Sequence, residues 1–296
     1  MQVTWLPDVE ARPRQVAVGE FDGVHVGHRA VIAGADTVLT FEPHPRAVVS
    51  PDSAPRLITA LETKADLIAG LGVDELVVIP FDGAFASRSA EEFIDDVLIG
   101  QLGAQRVSVG ENFRFGHRAR GDVDLLRAQD AFATNVTELV ELDGETVSST
   151  HIRGLIEGGL VERAAQFLGS PFQLRGTVAH GDKRGRSLGF PTANLVPDPA
   201  LVYPAHGVYA CRAAVEIDGE WRWWPAATNV GVRPTFVTGR GLLVEPYLLD
   251  FEGDLYGREL RLVFLERLRG EVRFESVDEL VAQMGRDIED TRRIAA

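Results

Sequence analysis

The chain has 296 residues, and at roughly 100 to 200 residues per domain that length predicts two domains, each able to bury a core of its own. Apolar residues make up 45% and charged residues 25%, which excludes a disordered, collagen-like or coiled-coil body. Lys and Arg number 30 against 44 Asp and Glu, for a net charge of -14; this argues against broad binding to nucleic acid or an anionic membrane and leaves room for a local anion site.

Met1 to Arg14 contains Asp8, Glu10, Arg12 and two prolines and lacks the apolar core of a signal peptide. No later stretch reaches the roughly 20 apolar residues of a membrane span. Short β-rich runs at Gln15 to Val18, Val38 to Phe41, Leu76 to Phe81 and Val107 to Val109 alternate with amphipathic stretches. That alternation predicts a parallel α/β sheet.

Gly19-Glu-Phe-Asp-Gly-Val-His-Val-Gly-His28 follows the first of these strands and opens a helix. Free N–H groups and the helix dipole favour a phosphate there, Gly27 permits close backbone approach, and His25 and His28 can address the same oxygens. Two imidazoles so placed can stabilise the charge on a departing pyrophosphate. Further on, Ser89 and Glu92 form a capping box ahead of Phe93 and Val97, and a helix follows Thr150 with Ile152, Leu155, Ile156 and Leu160 on one side.

The pattern changes near Gly169-Ser-Pro171, which sets expected domains at 1–169 and 170–296. From Phe172 to about Arg269, short alternating runs separated by Gly, Pro, Asp and Asn predict a small antiparallel β-barrel, with Asp218-Gly219 as a hairpin turn. Its first part holds His180-Gly-Asp-Lys-Arg-Gly-Arg-Ser-Leu-Gly-Phe-Pro-Thr-Ala-Asn194. Gly181 and Gly185 allow a loop to wrap phosphates, Lys183 and Arg186 supply counter-charge, and Thr192 and Asn194, two apart on an extended segment, offer oxygens to a hard cation. Phe190 is expected in the core. Cys211, the single cysteine, cannot form an intramolecular disulfide and suits a reducing compartment, so the cytoplasm is expected. Trp221, Trp223 and Trp224 are expected to pack the barrel rather than stack on a ligand. A last helix, capped by Ser276 and Glu279, is expected to pack on the barrel through Val277, Leu280, Val281, Met284 and Ile288.

The string from Gly19 to His28 resembles the nucleotide-binding signature of the prokaryotic bifunctional riboflavin kinase/FMN adenylyltransferases, the bacterial FAD synthetase family. Thr40-Phe-Glu-Pro-His-Pro45, Val109-Gly-Glu-Asn-Phe-Arg-Phe-Gly116 and Ser148-Ser-Thr-His-Ile-Arg153 agree in order. In the second half the 180–194 string, Tyr203 to Tyr209, Thr228-Asn-Val-Gly-Val-Arg-Pro-Thr235, Val244-Glu245 before Leu249-Asp-Phe251, Asp254-Leu-Tyr-Gly257 and Leu268-Arg-Gly-Glu-Val-Arg-Phe274 resemble the riboflavin kinase module.

The resemblance implies a Rossmann-like nucleotidyltransferase domain followed by a kinase barrel. It implies ATP contacts from Gly19, Phe21, Asp22, Gly27, Ser149 and Thr150, and catalysis by His25, His28 and Arg153. Glu42, Asn112 and Phe115 would line the nucleotide or flavin pocket, Glu245 would be the kinase base, and Arg269 would face flavin. Riboflavin, FMN and ATP are the implied substrates and Mg²⁺ the implied ion. Three features depart from the family pattern. Glu42 stands where Asp is usual, Gly270 stands where Pro is usual, and Arg29 to Leu39 leaves only a two-turn helix in the first crossover. A chain active only as the kinase, a flavin-binding regulator, and a nucleotidyltransferase for another substrate are the alternatives.

Overall fold

The computed structural model describes residues 1–179, 192–233 and 241–296, and the chain divides into two compact units, Met1–Ser149 and Thr150–Ala296. The first is built on six strands: β1 (Gln2–Trp5), β2 (Arg14–Val18), β3 (Thr37–Glu42), β4 (Glu75–Pro80), β5 (Ala104–Gly110) and β6 (Ala133–Thr137). All are parallel, in the order β1-β4-β3-β2-β5-β6. The four expected strands are present; β1 and β6 are additional edge strands.

Successive side chains of a strand point to opposite faces, and a parallel sheet covered on both sides needs apolar residues on each. Val16, Val18, Leu39, Phe41, Val77 and Ile79 accordingly enter one core with Phe93 and Val97. Ala17, Val38, Leu76 and Val78 enter the other with Val31, Ile32 and Ile68.

Helix α1 (Val26–Ile32) supplies the β2–β3 crossover and has two turns, as the short spacing requires. Next come α2 (Pro45–Val49), α3 (Leu61–Ala69) and α4 (Gly83–Ala86). The Ser89 capping box is formed by both reciprocal bonds, at 2.7 and 3.1 Å, and opens α5 (Ala90–Glu92). The chain continues from it through a π-helix, Phe93–Gln101. Helix α6 (Val123–Arg127) and the small hairpin of β7 (Glu141–Leu142) and β8 (Glu145–Thr146) complete this unit.

Helix α7 (Ser149–Glu157) begins at the expected place, and α8 (Val161–Leu168) follows it. The second unit contains β9 (Gln173–Ala179), β10 (Asn194–Pro197), β11 (Gly207–Ile217), β12 (Glu220–Arg233), β13 (Gly241–Leu248) and β14 (Glu259–Arg269). They close an antiparallel barrel in the order β10-β13-β12-β11-β14-β9. Asp218 and Gly219 have φ of 56° and 81°, the two left-handed residues of a type I′ hairpin turn. Cys211 is fully buried, and that burial pushes its thiol up to about 12, leaving it unreactive.

Two expectations about packing are corrected. Trp223 is 41% exposed and lies under the Arg212 guanidinium, while Trp221 lies under Arg261. Trp224 meets Phe251 edge-on. Trp221 and Trp224 are half-buried against the barrel, and Trp223 alone is exposed, held on its outer face by cation–π attraction to Arg212. The C-terminal helix α9 (Val277–Ala295) packs on the barrel as expected, but it buries Asp287, Thr291 and Ala295, leaving Val277 and Val281 exposed. A part-buried ion pair from Asp287 to Arg269 lies on the face turned to the barrel.

Candidate active sites

In an open parallel sheet, ligands bind beyond the carboxyl ends of the strands, at the point where the chain switches direction. Here that point lies between β2 and β5, because β3 pairs on one side of β2 and β5 on the other. The Gly19 to His28 turn follows β2, the Glu42 to Pro45 turn follows β3, and the Gly110 to Gly116 loop follows β5. Three of the four N-terminal motifs therefore leave the same end of the sheet.

The first turn is tightly wound. Phe21, Gly23 and Val24 have φ of 48°, 86° and 44°, a region that Phe and Val rarely occupy. What holds them is local: Phe21 and Val24 are buried in the core, and Asp22, 2% exposed, clamps the loop before α3. Its Oδ1 accepts from Ile58 N–H at 2.8 Å and Thr59 N–H at 3.0 Å, while Gly23 N–H donates to Thr59 Oγ1 at 3.0 Å. Phe21 and Asp22 thus shape the turn from within. A Cβ at Gly19 would lie 3.0 Å from the Phe21 ring, and one at Gly27 would lie 3.2 Å from the His25 ring.

His25 caps α1, its Nδ1 accepting from His28 N–H at 3.2 Å. The two imidazoles stack with centroids 3.4 Å apart, and Phe21 meets His28 edge-on. Burial lowers the His28 pKa well below the ordinary 6.5, and neighbouring His25 and Lys64 lower it further. His28 is therefore neutral at physiological pH. Its Nδ1 is buried without a hydrogen-bond partner among the described residues, an unmet polar group in a largely apolar setting.

Besides Glu42, the turns after β2 and β3 carry Glu20 and His44, and α3 carries Lys64, residues that the motifs do not single out. His44 Nε2 is 2.6 Å from Glu20 Oε2. Burial alone would raise the Glu20 carboxyl, but the bond to His44 and the charges of His44, Lys64 and Arg46 hold it below the ordinary value. Lys64 on α3 is buried, with Nζ 3.4 Å from Thr40 Oγ1. Glu42 ends β3, half-buried.

In the third motif Asn112 is exposed and Phe115 is buried against Phe93 and Phe113, so Phe115 is part of the core rather than an open pocket wall. Gly116 has φ of 71°, and a Cβ there would lie 2.6 Å from Ala90 N. Ser149 Oγ donates to the Asp22 carbonyl at 3.0 Å. Thr150 and Arg153 fall in the second unit, one helical turn apart on α7, with Nη1 3.5 Å from Oγ1.

In the barrel, Ala193 N–H bonds the Pro246 carbonyl and Leu195 pairs with Val244, which sets Asn194 opposite Glu245. On its other side Glu245 pairs with Asn229 of β12. Asn194, Glu245 and Asn229 thus form one row across three strands, with Thr192 on the same side of the chain as Asn194. All four are half-buried, whereas the alternating Val230, Val244 and Leu195 are in the core. Asn229 was not singled out in the sequence, although it lies within a matching motif. Oxygen donors such as Thr192 and Asn194 suit a hard cation whose remaining ligands are phosphate oxygens and water. Gly181, Lys183, Gly185, Arg186 and Phe190 lie outside the described residues. The Arg269 guanidinium is held by Asp287 of α9 and lies over the Phe274 ring.

A family model described as FAD synthetase matches residues 8–151, and one described as riboflavin kinase matches residues 168–295. The bifunctional riboflavin kinase/FMN adenylyltransferase of Pseudomonas fluorescens is 39% identical, covering 97% of this chain and 94% of its own. The protein of that name from Escherichia coli K12 is also 39% identical, over 92% and 90%. A solved structure described as a macrolide-efflux protein from Streptococcus pneumoniae is 31% identical with a TM-score of 0.87, covering 99% of both chains. No helix among the described residues is long and apolar enough to cross a membrane. With both matching segments in order and relatives matched along almost their whole length, the chain belongs to the bifunctional riboflavin kinase/FMN adenylyltransferase family.

Proposed function

We propose that the chain makes both flavin cofactors in succession: it phosphorylates riboflavin with ATP to give FMN, then transfers AMP from a second ATP to FMN, giving FAD and pyrophosphate. The observation that carries this reading is the pairing, in one chain, of the His25–His28 turn at the switch point of a parallel sheet with the Asn194–Glu245–Asn229 row on a barrel. The functional division is 1–169 for adenylyl transfer and 170–296 for the kinase.

In the kinase, Glu245 accepts the proton of the riboflavin 5′-hydroxyl as that oxygen attacks the γ-phosphate. Thr192 and Asn194 would hold Mg²⁺, which neutralises phosphate charge when bound. Gly181, Lys183, Gly185 and Arg186 serve the ATP phosphates, and Arg269 the flavin. In the adenylyltransferase the FMN phosphate attacks the α-phosphate of ATP without a covalent enzyme intermediate. His25, His28 and Arg153 stabilise the charge that builds on the leaving pyrophosphate. Ser149 and Thr150 take phosphate oxygens, Gly19 and Gly27 permit close approach, Phe21 and Asp22 keep the turn's shape, Glu42 and Asn112 bound the pocket, and Phe115 supports that loop from the core. The lone buried Cys211 accords with a cytoplasmic enzyme, and the net charge of -14 accords with small anionic substrates held locally rather than with nucleic acid.

The test is direct. Incubate the chain with riboflavin, ATP and Mg²⁺ and separate the flavins by chromatography. FAD supports the full reading, FMN alone restricts it to the kinase, and no product reduces the chain to a binding protein.

A further inference from the structure

Lysine is rarely buried unless it is paired, yet Lys64 is 6% exposed. It is placed by α3, with Nζ 3.4 Å from Thr40 Oγ1, and Thr40 in turn donates to the Glu20 carbonyl at 3.1 Å. The carboxylates whose charge it feels are Asp22, Glu42 and Glu20, contributed by the turn after β2 and the last residue of β3. Two of these anions are not free to swing away. Asp22 is fixed by Ile58 and Thr59, and Glu20 is fixed by His44.

Three carboxylates near Lys64, two of them held in place, create a field that repels a triphosphate. We propose that Lys64 is the internal counter-charge of the nucleotide site, a positioning residue that offsets Glu20, Asp22 and Glu42 so that the nucleoside triphosphate can settle against the histidines. The role rests on the adenylyltransferase reading above and adds a residue to it. Lys64 has a second effect through the same charge, because an ammonium beside His28 disfavours the imidazolium. Burial lowers the Lys64 pKa below the ordinary 10.5, and Asp22, Glu42 and Glu20 work against that shift by favouring the ammonium, while the ammonium in turn lowers the Glu20 pKa.

The experiment compares the parent chain, Lys64→Met, Glu20→Gln and the double variant, reading KM for ATP in the conversion of added FMN to FAD. Riboflavin phosphorylation by the same molecules controls for the barrel. In Lys64→Met the KM for ATP rises about tenfold, about 1.4 kcal/mol of lost binding, with a smaller change in kcat and unaltered riboflavin phosphorylation. In the double variant a clear part of that rise is recovered. A KM within twofold of the parent in Lys64→Met overturns the role, as does a double variant no better than the single one, which would make the lysine merely structural. If Lys64→Met does not fold, Glu20→Gln decides alone: removing one of the three anions lowers the KM for ATP, and an unchanged or raised KM overturns the role. A parent chain that forms no FAD removes the adenylyltransferase reading itself, an outcome visible before any variant is made.

Discussion

Arg269 and Asp287 form a two-pronged ion pair, with Nη2 2.7 Å from Oδ2 and Nε 3.1 Å from both carboxylate oxygens. Gln283 Nε2 donates to Oδ1 at 2.8 Å as well. Such planar pairing fixes a guanidinium in direction as well as in charge. The C-terminal helix thereby orients an arginine of the kinase module, and Asp287→Asn is expected to raise the riboflavin KM several-fold while FMN adenylylation is unchanged. The change should cost about 1 to 3 kcal/mol of stability in the second unit, as expected for weakening hydrogen bonds to a charged group. An unaltered riboflavin KM would show that the pair only fastens the helix.

Glu245→Gln tests the base most directly. Losing a general base slows the step by roughly 10² to 10⁴, so riboflavin phosphorylation should fall by that factor while added FMN is still converted to FAD. Asn229→Ala, which alters the neighbour of Glu245 without touching its carboxyl, should reduce kcat by a smaller factor. Normal phosphorylation in Glu245→Gln would remove that residue from the role.

Asp22 tests how the first turn is held. In Asp22→Ala, the Ile58 and Thr59 donors lose a charged acceptor in a buried setting, which is expected to cost about 2 to 3 kcal/mol. Thermal unfolding of the first unit reads this. Adenylylation should fall with it, because the Phe21 and Val24 conformations depend on that clamp. A variant with parental stability would contradict the account.

His28 gives the first unit a pH dependence of definite sign. Its folded pKa lies well below 6.5, so below that pH the unfolded chain binds more protons than the folded one. Stability from this group is present above the unfolded value, about 6.5, and is lost as pH falls from there toward the folded value. His28→Gln should flatten this part of the stability profile and impair adenylylation alone. Matching profiles for variant and parent between pH 7.5 and 5.5 would refute the assignment.

The turns and strands legible in the sequence are those whose local chemistry decides them. The Ser89 box, the Asp218-Gly219 hairpin and the buried strands β2 to β5 each carry a short-range signal. Strands β1 and β6 lack one: they are edge strands with many exposed positions, so neither face needs an unbroken apolar pattern. The rotation of α9 is not legible in its apolar stripe at Val277 and Val281, because the face turned to the barrel carries a part-buried ion pair that joins residues 18 apart. Lys64 was missed for a related reason. Nothing near it in sequence announces burial; the carboxylates around it arrive on other turns.

β1 also bears on how the chain can be handled. Gln2 to Trp5 pair with Glu75 to Val78, so they shield the flank of β4, a strand reading Glu-Leu-Val-Val-Ile-Pro and almost wholly buried. Trimming those few N-terminal residues would turn a central apolar strand into an open template for self-association. Aggregation of such a truncated chain would then come from an uncovered sheet edge, with the sequence of the catalytic turns left intact.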